Sequence, residues 1–470
     1  MKREWIFWLG LAAMPGIVAA QSAIVLDGAH LLDGTGQAPL RNARVVVQDD
    51  AIVCVGPMDA CAIPDGAEHV RLPADSFVLP GLVDAHVHFA QTGWFEGRPD
   101  TLDLTDLHPF DAMQAELRSN PDRYYRSYLC SGVTSVFDVG GFPWSWSLRE
   151  ASETNSLAPR VAAAGPLITH APRTQLNLPG EQEMLLLSDA KAGRAAVQWM
   201  AANDTDAIKV WFLRVAPEQQ EAIDARFEAV ADEARRRGVP LIVHATSLRE
   251  ATVAVREGAH LLVHGVDDQL VDDTFLELAK TAGTIYTPTL LVSDGYLRMF
   301  EAIKGMSDPT LDDPNGCIDR VTRERVVGSP ALVDHPEVQA FDRDLDAYRA
   351  RLADSYERKV ENLRRVHRAG VRIAMGTDAG NPGTFHGPSV YAELEAMQAA
   401  GLESSELIVM ATQNGARAMG RADVGVLAPN RRADLIVVEG NPLEDIKHLR
   451  RLTHVMRGGT LHELEELTAR

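Results

Sequence analysis

The amino-acid sequence predicts an α/β protein, a (β/α)8 barrel carrying a small β-sandwich built from both ends of the chain. Three observations predict it. Residues 22 to 79 alternate short apolar runs with Gly, Pro and Asp punctuation, as strands and turns do. From Leu82 onward eight apolar runs recur, separated by longer amphipathic stretches, the rhythm of β/α units around a parallel sheet. After Gly420 the strand texture returns in "GVLAPNRRADLIVVEGNPLEDI" and "LTHVMRGGTL". The expected division is a leader at 1–20, sandwich strands at 21–79 and 421–470, and the barrel at 80–420.

Taken in order, Lys2 and Arg3 precede an apolar run from Trp5 to Ala20 that closes on Val18-Ala19-Ala20 before Gln21. A charged start, a short greasy middle and a small-residue cleavage site make a secretory signal, too short to span a bilayer. Export to the periplasm or the exterior is expected, with Gln21 as the new N-terminus. The segments "AIVLDGAHLLDGTG", "ARVVVQDDAIVCVG" and "EHVRLPADSFVLPG" then supply the first sandwich strands. Cys54 and Cys61 flank a turn-like "VGPMDA" and in an oxidising compartment can pair across it; two small buried thiols are the equal alternative. Cys130 and Cys317 have no partner visible in the sequence.

The expected barrel strands are 82–89, 134–140, 160–168, 207–212, 241–246, 261–265, 284–290 and 372–380. Between them the helices carry their own signals. In "PEQQEAIDARFEAVADEARRRG", Ile223, Phe227, Val230 and Ala234 share one face, three arginines fill the last turn and Gly238 stops it. The connection 291–371 is unusually long, and its second half reads as one helix ending at Gly370. Loops of that length in a compact domain act on something or cover it, so a lid over the pocket is expected here.

Composition bounds the function. Hydrophobic residues at 46% and charged ones at 24% are ordinary for a folded globular chain of 470 residues. A formal net charge of −20 repels nucleic acid and anionic lipid, which sets both aside as partners. A small-molecule substrate is expected, a homo-oligomer is compatible with the chain, and no membrane contact is expected once the signal is removed.

The chemistry is concentrated in "GLVDAHVHFA". Residues i and i+2 of a strand point to one face, about 6.5–7 Å apart, so His86 and His88 converge while Ala85 and Val87 turn away. Two imidazoles so placed can share a divalent metal at about 2.1 Å. Lys209 in "AIKVW", His244 in "LIVHA", His264 in "LLVHG" and Asp378 in "GTDAG" stand at or near the C-terminal ends of later strands, which in such a barrel gather around one mouth. A lone His in an apolar run is most often a hydrogen-bonded core residue; six coordinated positions indicate a metal site. An ammonium inside an apolar strand is costly unless paired or neutralised, which singles out Lys209.

Together "PGLVDAHVH", "IKVW", "VHA", "VHG", "GTDAG" and the tail "GVLAPNRRADLIVVEGNPLEDI" resemble the amidohydrolase superfamily, in particular the dipeptidase branch that is similar to imidazolonepropionase. The resemblance spans nearly the whole mature chain. It implies the barrel with its β-sandwich and two divalent metal ions, usually Zn2+. By motif, His86, His88 and Asp378 correspond to ligands of one ion and His244 and His264 to ligands of the other, with Lys209 bridging both as a carbamate formed with carbon dioxide. Asp378 would also move the proton to the leaving amine. His170 in "LITHAP" would polarise the substrate carbonyl, although the Gly-Gly-His loop of the dipeptidase branch is missing here. Tyr286 and His386 are further candidates to touch substrate, each also explicable as packing, and Arg173, Arg214 and Arg298 are candidates to meet a substrate carboxylate. The expected activity is hydrolysis of an amide or peptide C–N bond in a dipeptide or N-acyl amino acid. Ester, lactone, carbamate or organophosphate hydrolysis is the alternative at the same centre, and a non-catalytic metal-binding barrel is the alternative of another kind.

Overall fold

The computed structural model describes residues 23–341 and 344–468; the expected signal segment lies outside the described residues. The chain has a mixed α/β fold. Two sheets are built from its ends. One orders the strands Ala51–Pro57, Ala43–Gln48, Ala23–Asp27 and Glu68–Arg71. The other orders Thr460–Glu463, Leu452–Arg457, Leu435–Glu439, Ser76–Pro80 and His30–Leu31. Leu435 pairs with Pro80 and Glu439 with Ser76, antiparallel, so the C-terminal strands are zipped to the N-terminal ones.

Strand parity explains how these sheets bury themselves. Val45 and Val47 point into a cluster with Leu26, Ile52, Val78, Leu435 and Val437, drawn from both sheets. Val46, one residue out of phase, packs instead with Val25 and Cys61. There Cys54 and Cys61 form a disulfide with Cα atoms 5.8 Å apart, which settles the first of the two cysteine questions in favour of pairing.

The middle of the chain forms parallel strands with helices between them. Leu82–Val87, Val133–Asp138 and Arg160–Ala163 form one run; Leu167–Thr169, Ile208–Trp211, Leu241–His244, Leu261–Val263 and Ile285–Thr287 form another, with Met184–Leu186 on its edge. The strand expected at 160–168 is divided at Gly165-Pro166. Proline offers no N–H to a ladder, so Arg160–Ala163 pairs with Val133–Asp138 and Leu167–Thr169 pairs with Ile208–Trp211. Across the break the Asp206 N–H donates to the Ala163 carbonyl at 3.2 Å.

The stretch expected as strand 372–380 is irregular, yet it is held on both sides. Tyr286 N–H donates to the Arg372 carbonyl at 2.9 Å, Ala85 N–H to Met375 at 3.1 Å, and Asp378 N–H to the His86 carbonyl at 2.7 Å. Gly376 permits this approach. A Cβ there would lie 2.6 Å from Thr287 Cγ2 and 2.9 Å from His86 Cβ, so a side chain would push the segment away from the histidine.

The helix Pro217–Arg237 forms as expected, with Pro217 in its first turn and Gly238 left-handed at its end. The long connection holds the helices Val292–Ile303, Arg320–Gly328, Pro336–Ala340 and Leu345–Arg368. Met299, Phe300, Ile318 and Val326 from this connection pack on Trp94, Phe95 and Leu102 from the loop after Leu82–Val87, forming a separate small core. A second disulfide, Cys130–Cys317, ties the connection to the helix Asp122–Cys130. Among the described residues no helix is long and apolar enough to cross a membrane.

Candidate metal centre

His86 and His88 leave the same face of Leu82–Val87 and its extension, and Asp378 meets both. Asp378 Oδ1 lies 3.2 Å from His86 Nε2 and 3.0 Å from His88 Nε2. One donor atom from each of the three lies within 4.8 Å of the other two. His264 closes on the group from Leu261–Val263, its Nδ1 3.9 Å from Asp378 Oδ2 and its ring centroid 4.9 Å from that of His86. His244 stacks edge-on to His264 with centroids 4.4 Å apart. The four imidazoles and one carboxylate therefore form a contiguous cluster, and Lys209 acts electrostatically on three of the rings.

Backbone strain marks the same place. His264 and Asp378 have φ of 75° and 64°, and Thr289, beside His264, has 42°. Non-glycine residues adopt this region at a cost of about 1–3 kcal/mol each, and such costs collect at functional sites.

Electrostatics keeps the donors in the form a cation needs. Burial, then the Lys209 charge, holds His86 well below the usual imidazole range, and the same two causes bring His244 down to about 3. Burial followed by His244 lowers His264. The rings are neutral at pH 7, each with a lone pair to give. Burial brings Lys209 down to about 7 against the pull of Asp378 and Asp138. Both ring nitrogens of His86, Nδ1 of His244 and Nζ of Lys209 are buried with no hydrogen-bond partner. Unsatisfied buried polar atoms cost about 1–3 kcal/mol each, and their occurrence on three neighbouring residues beside the His86–His88–Asp378 group fits donors kept for a cation. The residues present fit divalent metal.

Two rings are also oriented from behind. His88 Nδ1 faces the Gly140 carbonyl at 2.6 Å, and His264 Nδ1 lies 2.8 Å from Thr289 Oγ1. With Nδ1 donating to Gly140, the lone pair of His88 sits on Nε2, the atom beside Asp378.

The cluster opens into a cavity of about 230 Å3 walled by His88, His244, His264 and Asp378 on one side and by Arg98, Trp211, Tyr296 and Lys359 on the other. The structure does not bring the expected substrate contacts to that wall. Tyr286 is buried, its hydroxyl accepting the Val266 N–H at 3.0 Å. His386 lies behind the centre, stacked on Tyr124 at 3.9 Å with Nε2 3.1 Å from the His88 carbonyl, so it supports the ligand strand. His170 is half-buried away from the cavity. The three arginines proposed as carboxylate partners are also off it; Arg214 and Arg298 pair with Asp268 and Asp294.

Sequence reasoning missed Asp84 and Asp138. Asp84 accepts from Thr377 Oγ1 at 2.6 Å, Thr377 N–H at 3.0 Å and His86 N–H at 3.2 Å, stapling the His-x-His strand to the loop that carries Asp378. Burial pushes it up to about 7. Asp138, at the end of Val133–Asp138, is buried with Oδ2 unpartnered and is raised to about 6 by burial, with His88 opposing. Both were accessible to the logic that found the histidines: Asp84 shares the parity of His86 and His88, and Asp138 ends a strand.

The amidohydrolase family model matches residues 77–461. The chain is 25% identical to ochratoxinase of Aspergillus niger over 96% of its own length and 90% of that protein's. It is 40% identical to imidazolonepropionase of Salinispora tropica, covering 89% of this chain and 92% of that one. In fold it is similar to the crystal structure of a Xaa-Pro dipeptidase with methionine bound in the active site, at a TM-score of 0.69 and 24% identity over 94% of this chain and 100% of that one. With a match that takes in most of its length, the chain belongs to the amidohydrolase family and is an enzyme acting on carbon–nitrogen bonds.

Proposed function

We propose that the protein hydrolyses the amide or peptide bond of a dipeptide or N-acyl amino acid, using water activated between two divalent cations, with zinc the expected metal. The observation that carries this reading is the set of buried, unpartnered donors on His86, His244 and Lys209 beside the His86–His88–Asp378 cluster. In this reading the parallel strands form a closed (β/α)8 barrel, supported by the hydrogen bonds that hold 372–379 between Ile285–Thr287 and Leu82–Val87, and the two end-built sheets form its β-sandwich. His86, His88 and Asp378 would hold one cation and His244 and His264 the other. Lys209, as a carbamate, would supply oxygen to both: its neutral amine adds to carbon dioxide, forming a C–N bond and releasing a proton.

Bound there, the cations would supply Lewis acidity to make a water nucleophilic and to polarise the scissile carbonyl. The chain does the rest. Asp378 accepts the proton from the attacking water and returns it to the amine nitrogen as the C–N bond breaks. The Gly140 carbonyl and the Thr289 hydroxyl hold two of the imidazoles in register, and Trp211 and Tyr296 narrow the cavity against bulk water. Secretion or a periplasmic location is part of the proposal, supported by the two disulfides and the leader-like sequence at 1–20.

Metal analysis together with a panel of amides and esters tests it. Two equivalents of metal and turnover of amides are expected, and Lys209→Ala is expected to lose at least one equivalent and more than about 100-fold in kcat/KM. Turnover of esters alone would move the target to another bond. Two bound metals with no turnover on the panel would make the protein a binder.

A further inference from the structure

A lysine that the hydrolytic scheme does not use faces the same cavity. On the helix Leu345–Arg368 the buried stripe runs Lys359, Asn362, Leu363, Val366, so Lys359 occupies a position where helical periodicity calls for an apolar side chain. It is 4% exposed. Its stem lies over Gly265, the residue after His264: a Cβ at 265 would stand 3.1 Å from Lys359 Cγ, so glycine there makes the room.

The ammonium has no hydrogen bond and no ion pair among the described residues. Burial lowers its pKa, and the carboxyl groups of Asp267, Glu393 and Asp378 oppose that, each from beyond salt-bridge distance. The other cation of the cavity is already engaged. Arg98 is held by both oxygens of Asp100, at 2.8 and 2.9 Å, and donates to Asn381 at 2.5 Å. A buried cation without a partner is costly, and the cost is recovered when an anion arrives.

Beyond Lys359 lies a second cavity, of about 370 Å3, between the helices Val292–Ile303 and Leu345–Arg368. Leu290, Leu291, Leu297, Leu352 and Tyr356 give it an apolar lining, Asp294 and Arg349 also border it, and it shares Ser293 and Lys359 with the cavity of the metal centre. Its volume falls in the range of small-molecule sites.

We propose that Lys359 is the specificity residue of this enzyme, pairing with a carboxylate next to the scissile amide, and that the apolar slot beyond it takes a medium-length acyl chain of the same substrate. The substrate class is thus an N-acyl amino acid with a free carboxylate and an apolar acyl group. This rests on the hydrolase reading above for the bond broken, and on the two cavities for what is recognised.

The experiment compares N-octanoyl-alanine with N-ethyloctanamide, the same amide without its carboxylate, on the metal-loaded full chain. The wild type is expected to prefer the acid by about 10- to 100-fold in kcat/KM, the worth of one charged hydrogen bond. In Lys359→Met the ratio is expected to fall towards one, and in Lys359→Arg to persist. Equal turnover of the two amides by the wild type overturns the assignment without any variant, as does a preference that survives in Lys359→Met. Leu352→Trp is expected to raise KM for the octanoyl substrate and spare N-acetyl-alanine; an equal effect on both removes the slot. Calorimetric binding of N-octyl-alanine, which has no amide to cleave, separates this proposal from the hydrolase reading. Binding that weakens at least 10-fold in Lys359→Met upholds Lys359 even where no amide is turned over, and binding indifferent to Lys359 overturns it.

Discussion

Two of the candidate metal ligands, His88 and His264, are fixed by groups outside the cluster, the Gly140 carbonyl and the Thr289 hydroxyl. Thr289 holds His264 through a 2.8 Å hydrogen bond, and the threonine itself sits in a left-handed backbone. Thr289→Val keeps the shape and removes the hydroxyl; metal affinity is expected to fall about 10- to 100-fold, read by zinc competition against a chelating dye. A second residue makes a pH prediction. Glu183 is buried and pushed up to about 8 by that burial, with Arg98 pulling the other way. An acid whose folded pKa lies above its ordinary 4.5 binds the extra proton in the native state, so it withdraws stability as pH rises from about 4.5 to about 8. Glu183→Gln is therefore expected to gain stability over the wild type progressively across that window, seen as diverging unfolding curves between pH 5 and pH 8. The histidines and Asp378 were legible because strand parity and strand ends are local properties of sequence. Arg98, Tyr296 and Lys359 were not, since they reach the cavity from a loop and from inserted helices whose docking depends on distant packing.

Among the elements, the long connection after Ile285–Thr287 carries most of what the sequence left open. Its length announced a cover, and Val292, Ser293, Tyr296 and Lys359 do wall the cavity. Its anchoring did not announce itself. Cys130 and Cys317 are 187 residues apart and lie in unremarkable contexts, so only the folded arrangement pairs them. Replacing both with Ser removes a cross-link over a long loop and is expected to cost about 2–5 kcal/mol by denaturant unfolding. The strands fared better: all eight expected runs lie in the parallel region. The two that deviate do so for stated reasons, Pro166 dividing one ladder and the loop around Gly376 replacing regular pairing with single hydrogen bonds.

At the scale of the whole molecule, the parallel region and the end-built sheets are locked by a buried charge. Arg160 donates to Asp434 at 2.5 and 3.2 Å, and the side chains of both are 1% exposed; Arg457, equally buried, lies 3.9 Å from the same carboxylate. Asp434→Asn takes the carboxylate from Arg457 and leaves Arg160 with Glu153 alone, at 2.5 Å. A loss of about 3–5 kcal/mol is expected, measured by denaturant unfolding, well beyond the effect of exposed pairs such as Arg320–Glu324. The ladder between Ser76–Pro80 and Leu435–Glu439 bears on biosynthesis. Until Leu435–Glu439 has been made, the nascent chain carries Ser76–Pro80 with a raw edge, open to pairing with any neighbour. Completion of that sheet thus waits for synthesis of Leu435–Glu439, and a premature stop before residue 435 is expected to yield an aggregation-prone fragment even though the sequence supplying every candidate ligand has been made.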